Sequence, residues 1–514
     1  MAVYSKLLEL PKTTVDWLKS MCWSEGVPVS AWLLGGVLVL GSAAWLVATR
    51  QKLPPGPTGL PFIGIVGDFP SEPLHLECMR LRKQYKSDVI SYRRMGRLYV
   101  VIHGYKLIRE AFLTRGPDFS ERPFVFPLVE AGFKDEMFVQ PNDEKFRANK
   151  KFAMACLRSN YGAGNKSIEG RILAEVYKVA DFLSELNGTP TELSNTVKHA
   201  VARVISSIVY SSSYKLNDPE VDRLIELTHR FLEVNFSEDL NNAYQLPAWM
   251  RKIFCGKAVQ NARRLDEDVK QFVMEKVNEH RQVLDGSNPR DVMDQYLIER
   301  DGPSVDESLL AFTLFTFMVD ATQSLSAVVM TGLLQIVSNP EIQARIQDEL
   351  DKVVGRSGEP KLAHKAETMY LHAVTLESLR VSDPVPLGAD RRPLKKTTLA
   401  GFDIPQDCIV YASLHSVHMD PDIFPEPEVF KPEHFLDGKG NLINTEYCIP
   451  FSIGRRMCIG EQLVKMELYL FYAALLHKFV FKFASGKDEK VEEQDYVSYV
   501  LLTPKPREIC ALPR

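Results

Sequence analysis

PFSIGRRMCIGE, residues 450–461, is the stretch that decides how this chain is read. Gly454 and Gly460 flank Cys458 in a loop that runs into an amphipathic helical pattern from Glu461 onward. The glycines permit sharp turns and the close approach of a flat ligand. A cysteine at a helix N-terminus has its thiolate favoured by free N–H groups and by the helix dipole. Arg455 and Arg456 add positive charge that can pair with carboxylates. A lone cysteine is more often a small core residue. Glycine, arginine and cysteine at these intervals before a helix point instead to an anionic sulfur beside a flat, glycine-lined surface, which is what thiolate ligation of haem iron requires.

Outward from that loop, the composition is globular: 514 residues, 45% hydrophobic and 25% charged, with a net charge of -4. That leaves ample apolar material for a large core, and the slight acidity argues against nucleic acid as a partner. Eight cysteines stand far apart with no CxxC pair, which excludes a disulfide scaffold or zinc ribbon and fits a reducing compartment. His415 and His418 have a spacing that could suit a metal, but no third ligand is evident in the sequence, so they read as structural.

Residues 27–48, VPVSAWLLGGVLVLGSAAWLVA, carry no charge. As a helix they would span about 33 Å, enough for a hydrocarbon core. Trp32 and Trp45 near the two ends suit the interfaces, and the preceding residues 1–26 are too long and too mixed in charge for a signal peptide. One N-terminal transmembrane helix is therefore expected, with residues 1–26 on the lumenal side. Residues 49–64 follow as a hinge, since LPPGPTGLPFIG cannot make a helix or a central strand. Residues 65–514 show no flexible divide. Helical periodicity recurs around 173–186, 221–234, 258–283, 309–336, 340–354 and 461–476, with strand-like runs near 89–102 and 398–410. The expected fold class is mainly α with small β-sheets, in one large domain.

Phe451, Gly454, Arg456, Cys458 and Gly460 meet in full the cysteine signature of the cytochrome P450 family, which the chain resembles over residues 53–514. The proline-rich hinge, the PFS entry and Phe435–Asp437 resemble the microsomal animal enzymes that oxidise xenobiotics and steroids. The resemblance implies the fold of that family and haem b on Cys458, with Arg456 on a haem propionate and Phe451 near the sulfur. It implies further propionate contacts from Arg391, with Arg392 as the alternative, and from Lys150 and Phe146, the last standing where the family usually has tryptophan. Glu377 and Arg380, at i and i+3, correspond to the family's ExxR pair, and His434 takes the place of an arginine as third member of a folding triad. Arg147, Lys150 and Lys151 form a basic helix face suited to an acidic electron donor.

On the helix expected over 309–336, the same resemblance places the oxygen-activation residues at Asp320, Ala321, Thr322, Gln323 and Ser324. The family's acid has become Gln323, which cannot titrate, and its threonine has become Ser324. Asp320 offers a carboxylate one turn earlier, as a polar substrate contact, a displaced proton donor or a structural residue. Phe124, Phe126, Phe133, Phe315, Met318, Val319, Val385, Leu387, Val500 and Leu501 are the expected apolar pocket lining. The 244–254 segment is a candidate for dipping into the membrane surface.

The implied activity is monooxygenation of a lipophilic steroid, fatty acid or xenobiotic. Electrons would come from NADPH through an FAD/FMN reductase, with cytochrome b5 as a second donor, at the cytosolic face of the endoplasmic reticulum. The rivals are a haem-thiolate isomerase or dehydratase acting on peroxides without O2 or reductase, and a non-enzymatic haem-binding protein.

Overall fold

The computed structural model describes Gly36 and residues 52–60, 63–65, 69–70, 73–123, 137–159, 167–212, 214–215, 218–235, 256–299, 307–486, 489–492, 495–498 and 501–514. The expected span at 27–48 (Gly36 apart), the 244–254 segment, and Phe124, Phe126, Phe133 and Val500 lie outside these residues.

The fold is mainly helical with small sheets. In chain order the principal helices are α1 (Leu74–Tyr85), α2 (Glu144–Ser159), α3 (Ile168–Leu186), α4 (Ser194–Tyr210), α5 (Pro219–Asn235), α6 (Gly256–Val283), α7 (Val292–Glu299), α8 (Glu307–Val337), α9 (Pro340–Val353), α10 (Met369–Ser382) and α11 (Glu461–Lys478). The long periodic stretches of the sequence fall inside α3, α5, α6, α8, α9 and α11, because sustained apolar periodicity is the strongest local signal.

α8 is the spine. Phe312–Val337 is long and apolar enough to cross a membrane, yet it runs through the protein interior and is 78% buried there. A helix that is apolar nearly all round belongs in a core. It packs against α4, α5, α6, α10 and α11. The tightest crossing is at Gly332, where a Cβ would overlap the Tyr472 hydroxyl of α11 and the Ser378 Oγ of α10. The Tyr472 hydroxyl donates to the Val328 carbonyl at 3.2 Å, so the missing side chain lets a buried phenol find its acceptor.

The main sheet sets β1 (Val89–Arg94) antiparallel to β2 (Arg97–His103), and β2 parallel to β3 (Ile409–Ser413), with Tyr99 opposite both Tyr92 and Ile409. Tyr92, Tyr99 and Tyr411 stack across it with centroids 4.9 and 6.1 Å apart. A second sheet pairs β4 (Phe479–Phe483) with β5 (Glu508–Pro513) and brings the chain end back to the foot of α11.

The proline-rich stretch is not a free spacer over its described part. The Pro54 and Pro55 carbonyls accept from Ser91 Oγ at 2.7 Å and Ser91 N at 2.9 Å, and a Cβ on Gly56 would overlap the Ser91 carbonyl. Proline removes donors but leaves carbonyls, so the segment can dock along β1 as an acceptor-only edge.

Candidate active site

The 3₁₀ turn Gly454–Arg456 opens the cysteine loop. Gly454 has φ +82°, and a Cβ there would overlap the Phe112 carbonyl, so both conformation and space demand glycine. The Cys458 N–H donates to the Phe451 carbonyl at 3.0 Å, closing the loop just before α11. Cys458 is exposed, yet burial is the chief influence on its thiol, pushing it up to about 11. A sulfur both accessible and desolvated faces an internal cavity. The Gly460 N–H and the charge of Lys150 pull the other way, while Asp320 and Glu461 raise the thiol further. The N–H at the helix start favours the thiolate as its position implies, but burial outweighs it, and an anionic sulfur here calls for a cation placed directly against it.

Cations gather beside this cavity. The Arg456 guanidinium lies 3.7 Å over the Phe146 ring and donates to the Ser120 carbonyl at 2.9 Å, the Met137 carbonyl at 3.3 Å and the Gln140 carbonyl. Phe146, where an indole was anticipated, thus serves as a flat platform for the arginine. Arg391 is 1% exposed and lies 3.6 Å over the Phe112 ring. Its Nη2 donates to Ser452 Oγ and the Ile453 carbonyl, but its Nε and Nη1 are buried with no partner among the described residues. Burial and the charges of Arg122 and Arg456 hold it well below the usual guanidinium range. Lys150 turns inward rather than joining the outer basic face of α2: Nζ donates to the Arg455 and Met457 carbonyls at 2.8 and 3.0 Å, and burial lowers it to about 8. Arg147 and Lys151 remain exposed.

Arg122 was missed by sequence reasoning. It donates to the Phe138 and Asp390 carbonyls, and its charge is felt by Lys150, Arg391, Asp320 and Asp390. Nothing local marks it out; only tertiary proximity to Arg391 does. Four cations close together, with two guanidinium nitrogens of Arg391 unpartnered among the described residues, call for an anionic guest with more than one carboxylate. Cys458, Arg391, Arg456, Lys150 and Arg122 fit a flat, dianionic group whose metal sits on the sulfur.

Glu377 and Arg380 on α10 are both fully buried. The carboxylate accepts from Arg380 Nε at 2.8 Å and Nη2 at 2.7 Å, from Lys431 N at 2.7 Å and from His434 Nδ1 at 3.1 Å. Burial would raise the Glu377 carboxyl, but Arg380 and His434 together hold it below its usual range. Arg380 also donates to the His418 and Pro427 carbonyls, and His434 Nε2 donates to the Pro425 carbonyl at 2.6 Å. Both ring nitrogens of His434 therefore face oxygen atoms, which fixes the ring in the cluster. A second clamp lies next to it. Asp383 sits 3.2 Å from both His415 Nδ1 and His418 Nδ1, while His418 Nε2 accepts from Ile449 N at 3.0 Å. The two histidines tie α10 to the approach of the cysteine loop, in keeping with a structural role.

α8 has one less-buried face, and Asp320 on it lies toward Cys458. From Phe312 to Val337 every side chain is buried except Thr313, Phe317, Asp320, Ala321 and Ser324, spaced as a single helical stripe. Asp320 is the most exposed of them, and its charge reaches Cys458. Burial lifts its carboxyl to about 6, with Arg122 opposing. Ser324 Oγ donates to the Asp320 carbonyl four residues back. Gln323 and Thr322 do not join this face. Gln323 Nε2 donates to Thr228 Oγ1 of α5 at 3.1 Å, and Thr322 is fully buried with its hydroxyl unpartnered among the described residues. The helical turn carries both to the far side.

The pocket-lining expectations divide in the same way. Phe315, Met318 and Val319 are buried in the main core. Phe315 packs edge-on against Phe231 and Phe272, 5.6 and 6.4 Å away, so these three do not front the cavity. Leu387 packs with Cys78, Leu81 and Ile90 under the sheet. Val385 and Leu501 are half-buried. Thr313 and Phe317, earlier on the same stripe, line a separate cleft with Met137, Phe152, Val292 and Tyr296.

Fold and site together define a haem-thiolate protein: a cysteine loop beneath a long core helix, ringed by carboxylate-seeking cations. Residues 54–511 match the model of the family described as Cytochrome P450. Curated relatives include cytochrome P450 2C23 of Rattus norvegicus, 32% identical over 474 residues that cover 91% of this chain and 94% of the relative. Cytochrome P450 2J1 of Oryctolagus cuniculus is 32% identical over 492 residues, covering 94% and 96%. Cytochrome P450 2A6 of Homo sapiens is 31% identical over 486 residues, covering 93% and 97%. The chain belongs to the cytochrome P450 family and is a monooxygenase.

Proposed function

We propose that the chain binds haem b through Cys458 and inserts one oxygen atom from O2 into a lipophilic steroid, fatty acid or xenobiotic. The exposed Cys458 sulfur, sharing its cavity with the Asp320 stripe of α8, is the observation that carries this reading. The haem would supply the iron at which oxygen is activated. The protein's part is to hold the sulfur, to receive the two propionates on Arg391, Arg456, Lys150 and Arg122, and to position substrate under α8. Ala321 and Ser324 would bound the substrate space beside Asp320.

Electrons would come from NADPH through an FAD/FMN reductase, with cytochrome b5 as a second donor, docking near exposed Arg147, Lys151 and Arg455. The charge-free 27–48 segment supports a single-pass anchor in the endoplasmic reticulum membrane, with residues 65–514 on the cytosolic face.

The diagnostic experiment is the spectrum of the reduced carbon monoxide complex. Its red-shifted Soret band is expected in the native chain and lost in Cys458→Ala; survival in that variant would disprove the ligand assignment. One observation favours a second reading, peroxide isomerisation without reductase. Gln323 is turned away and the Ser324 hydroxyl is bonded within its own helix, which weakens the usual acid–alcohol pair. NADPH-supported product formation with purified reductase decides between the two.

A further inference from the structure

We infer that Asp320 is a charge-selecting residue that fits the substrate cavity to lipophilic molecules carrying a permanently or readily cationic nitrogen, given the haem-thiolate assignment of Cys458. Among the five open positions of α8, Thr313, Phe317, Ala321 and Ser324 are neutral, so Asp320 is the acid on that face. Its carboxylate has no hydrogen bond or ion pair among the described residues. The surrounding protein desolvates it, raising it to about 6, and at neutral pH the charged form still prevails. The opposing cation is Arg122, whose guanidinium donates to the Phe138 and Asp390 carbonyls and lies 4.7 Å over the Phe138 ring. With haem bound, its propionates would compete for that arginine and leave the Asp320 charge less compensated.

An exposed, desolvated carboxylate with no hydrogen bond or ion pair among the described residues is a site for a cation. A neutral ligand that covers it strips its remaining water without replacement, whereas an ammonium restores the lost interaction. Ala321, next to Asp320 on the same face, has a small side chain that leaves room for such a ligand. A structural role for the carboxylate would require a partner on a neighbouring helix, and none reaches it among the described residues.

Two probes differing in one atom test this: a phenylbutyl chain ending in trimethylammonium, and the same chain ending in tert-butyl. Neither has a lone pair to ligate iron. Affinities are measured by calorimetry on the full haem-loaded chain, for the native protein, Asp320→Asn and Asp320→Ala. The native preference for the cation should exceed that of either variant by about tenfold or more, the scale of a partly desolvated ion pair. The neutral probe should bind all three proteins alike. Comparing ratios between proteins cancels the probes' different partitioning into lipid. An unchanged ratio would refute the assignment, as would loss of the neutral probe from both variants, which would make Asp320 a structural residue. Absence of the thiolate band in the native protein would strike the haem reading, whereas an unchanged ratio with the band intact strikes Asp320 alone.

Discussion

Replacing Glu377 by glutamine tests the buried cluster behind the cysteine loop. The carboxylate accepts from four donors, two from Arg380 and one each from Lys431 N and His434 Nδ1. Glutamine keeps one acceptor oxygen, and its amide N–H groups would face the N–H groups of Arg380. Removing one partner of a fully buried pair costs about 3–5 kcal/mol, because the other charge stays buried. Against a total stability of about 5–15 kcal/mol, that is a large fraction. The Arg380 bonds to the His418 and Pro427 carbonyls soften the loss without abolishing it.

Urea unfolding followed by far-ultraviolet circular dichroism is the assay, with haem retention read in parallel. The pH dependence gives an independent check. The Glu377 carboxyl is held below its ordinary value in the folded state, so its stabilisation is fully present above that value, about 4.5, and is lost as pH falls through the lower, folded one. Native stability should therefore fall below about pH 5 more steeply than that of Glu377→Gln. A destabilisation under about 1 kcal/mol, the value of a weak surface pair, or identical acid limbs for the two proteins, would refute the reasoning.

Gly454→Ala should fail to retain haem, since it adds about 1–2 kcal/mol of left-handed strain to a clash with the Phe112 carbonyl; a normal haem-to-protein ratio would contradict this. Arg391→Leu removes the arginine with the orphaned N–H groups and should speed haem transfer to an acceptor apoprotein about tenfold or more, on the scale of one charge-assisted bond. An unchanged rate would place the propionates elsewhere. Gln323→Glu should leave coupling of NADPH use to product unimproved and lower the urea midpoint, because residue 323 faces Thr228 and a carboxylate there would be buried without a cation. Improved coupling would mean that protons travel past α5.

Some of this protein was legible from its sequence. The helices containing 309–336 and 461–476 announce themselves because apolar periodicity is a local property of the chain. The cysteine loop does so because a glycine at φ +82° and a cysteine just before a helix are local demands of the backbone. Glu377 and Arg380 share a face at i and i+3, and burial turned that common surface pattern into a core ion pair.

Other features belong to the tertiary structure alone. Arg122 joins Arg391, Arg456 and Lys150 only where distant segments converge. Lys150 and Lys151 are neighbours in sequence, yet one caps the cysteine loop and the other stays exposed. Along 320–324 the chain offers an acid, an amide and two hydroxyls, and the rotation of α8 decides that Asp320 and Ser324 face the cavity while Thr322 and Gln323 face the core. Sequence sets which groups a segment carries and how often they recur around a helix. The packing of α8 against α4, α5 and α10 sets the phase of that recurrence, because which side of the helix is buried is a property of its neighbours.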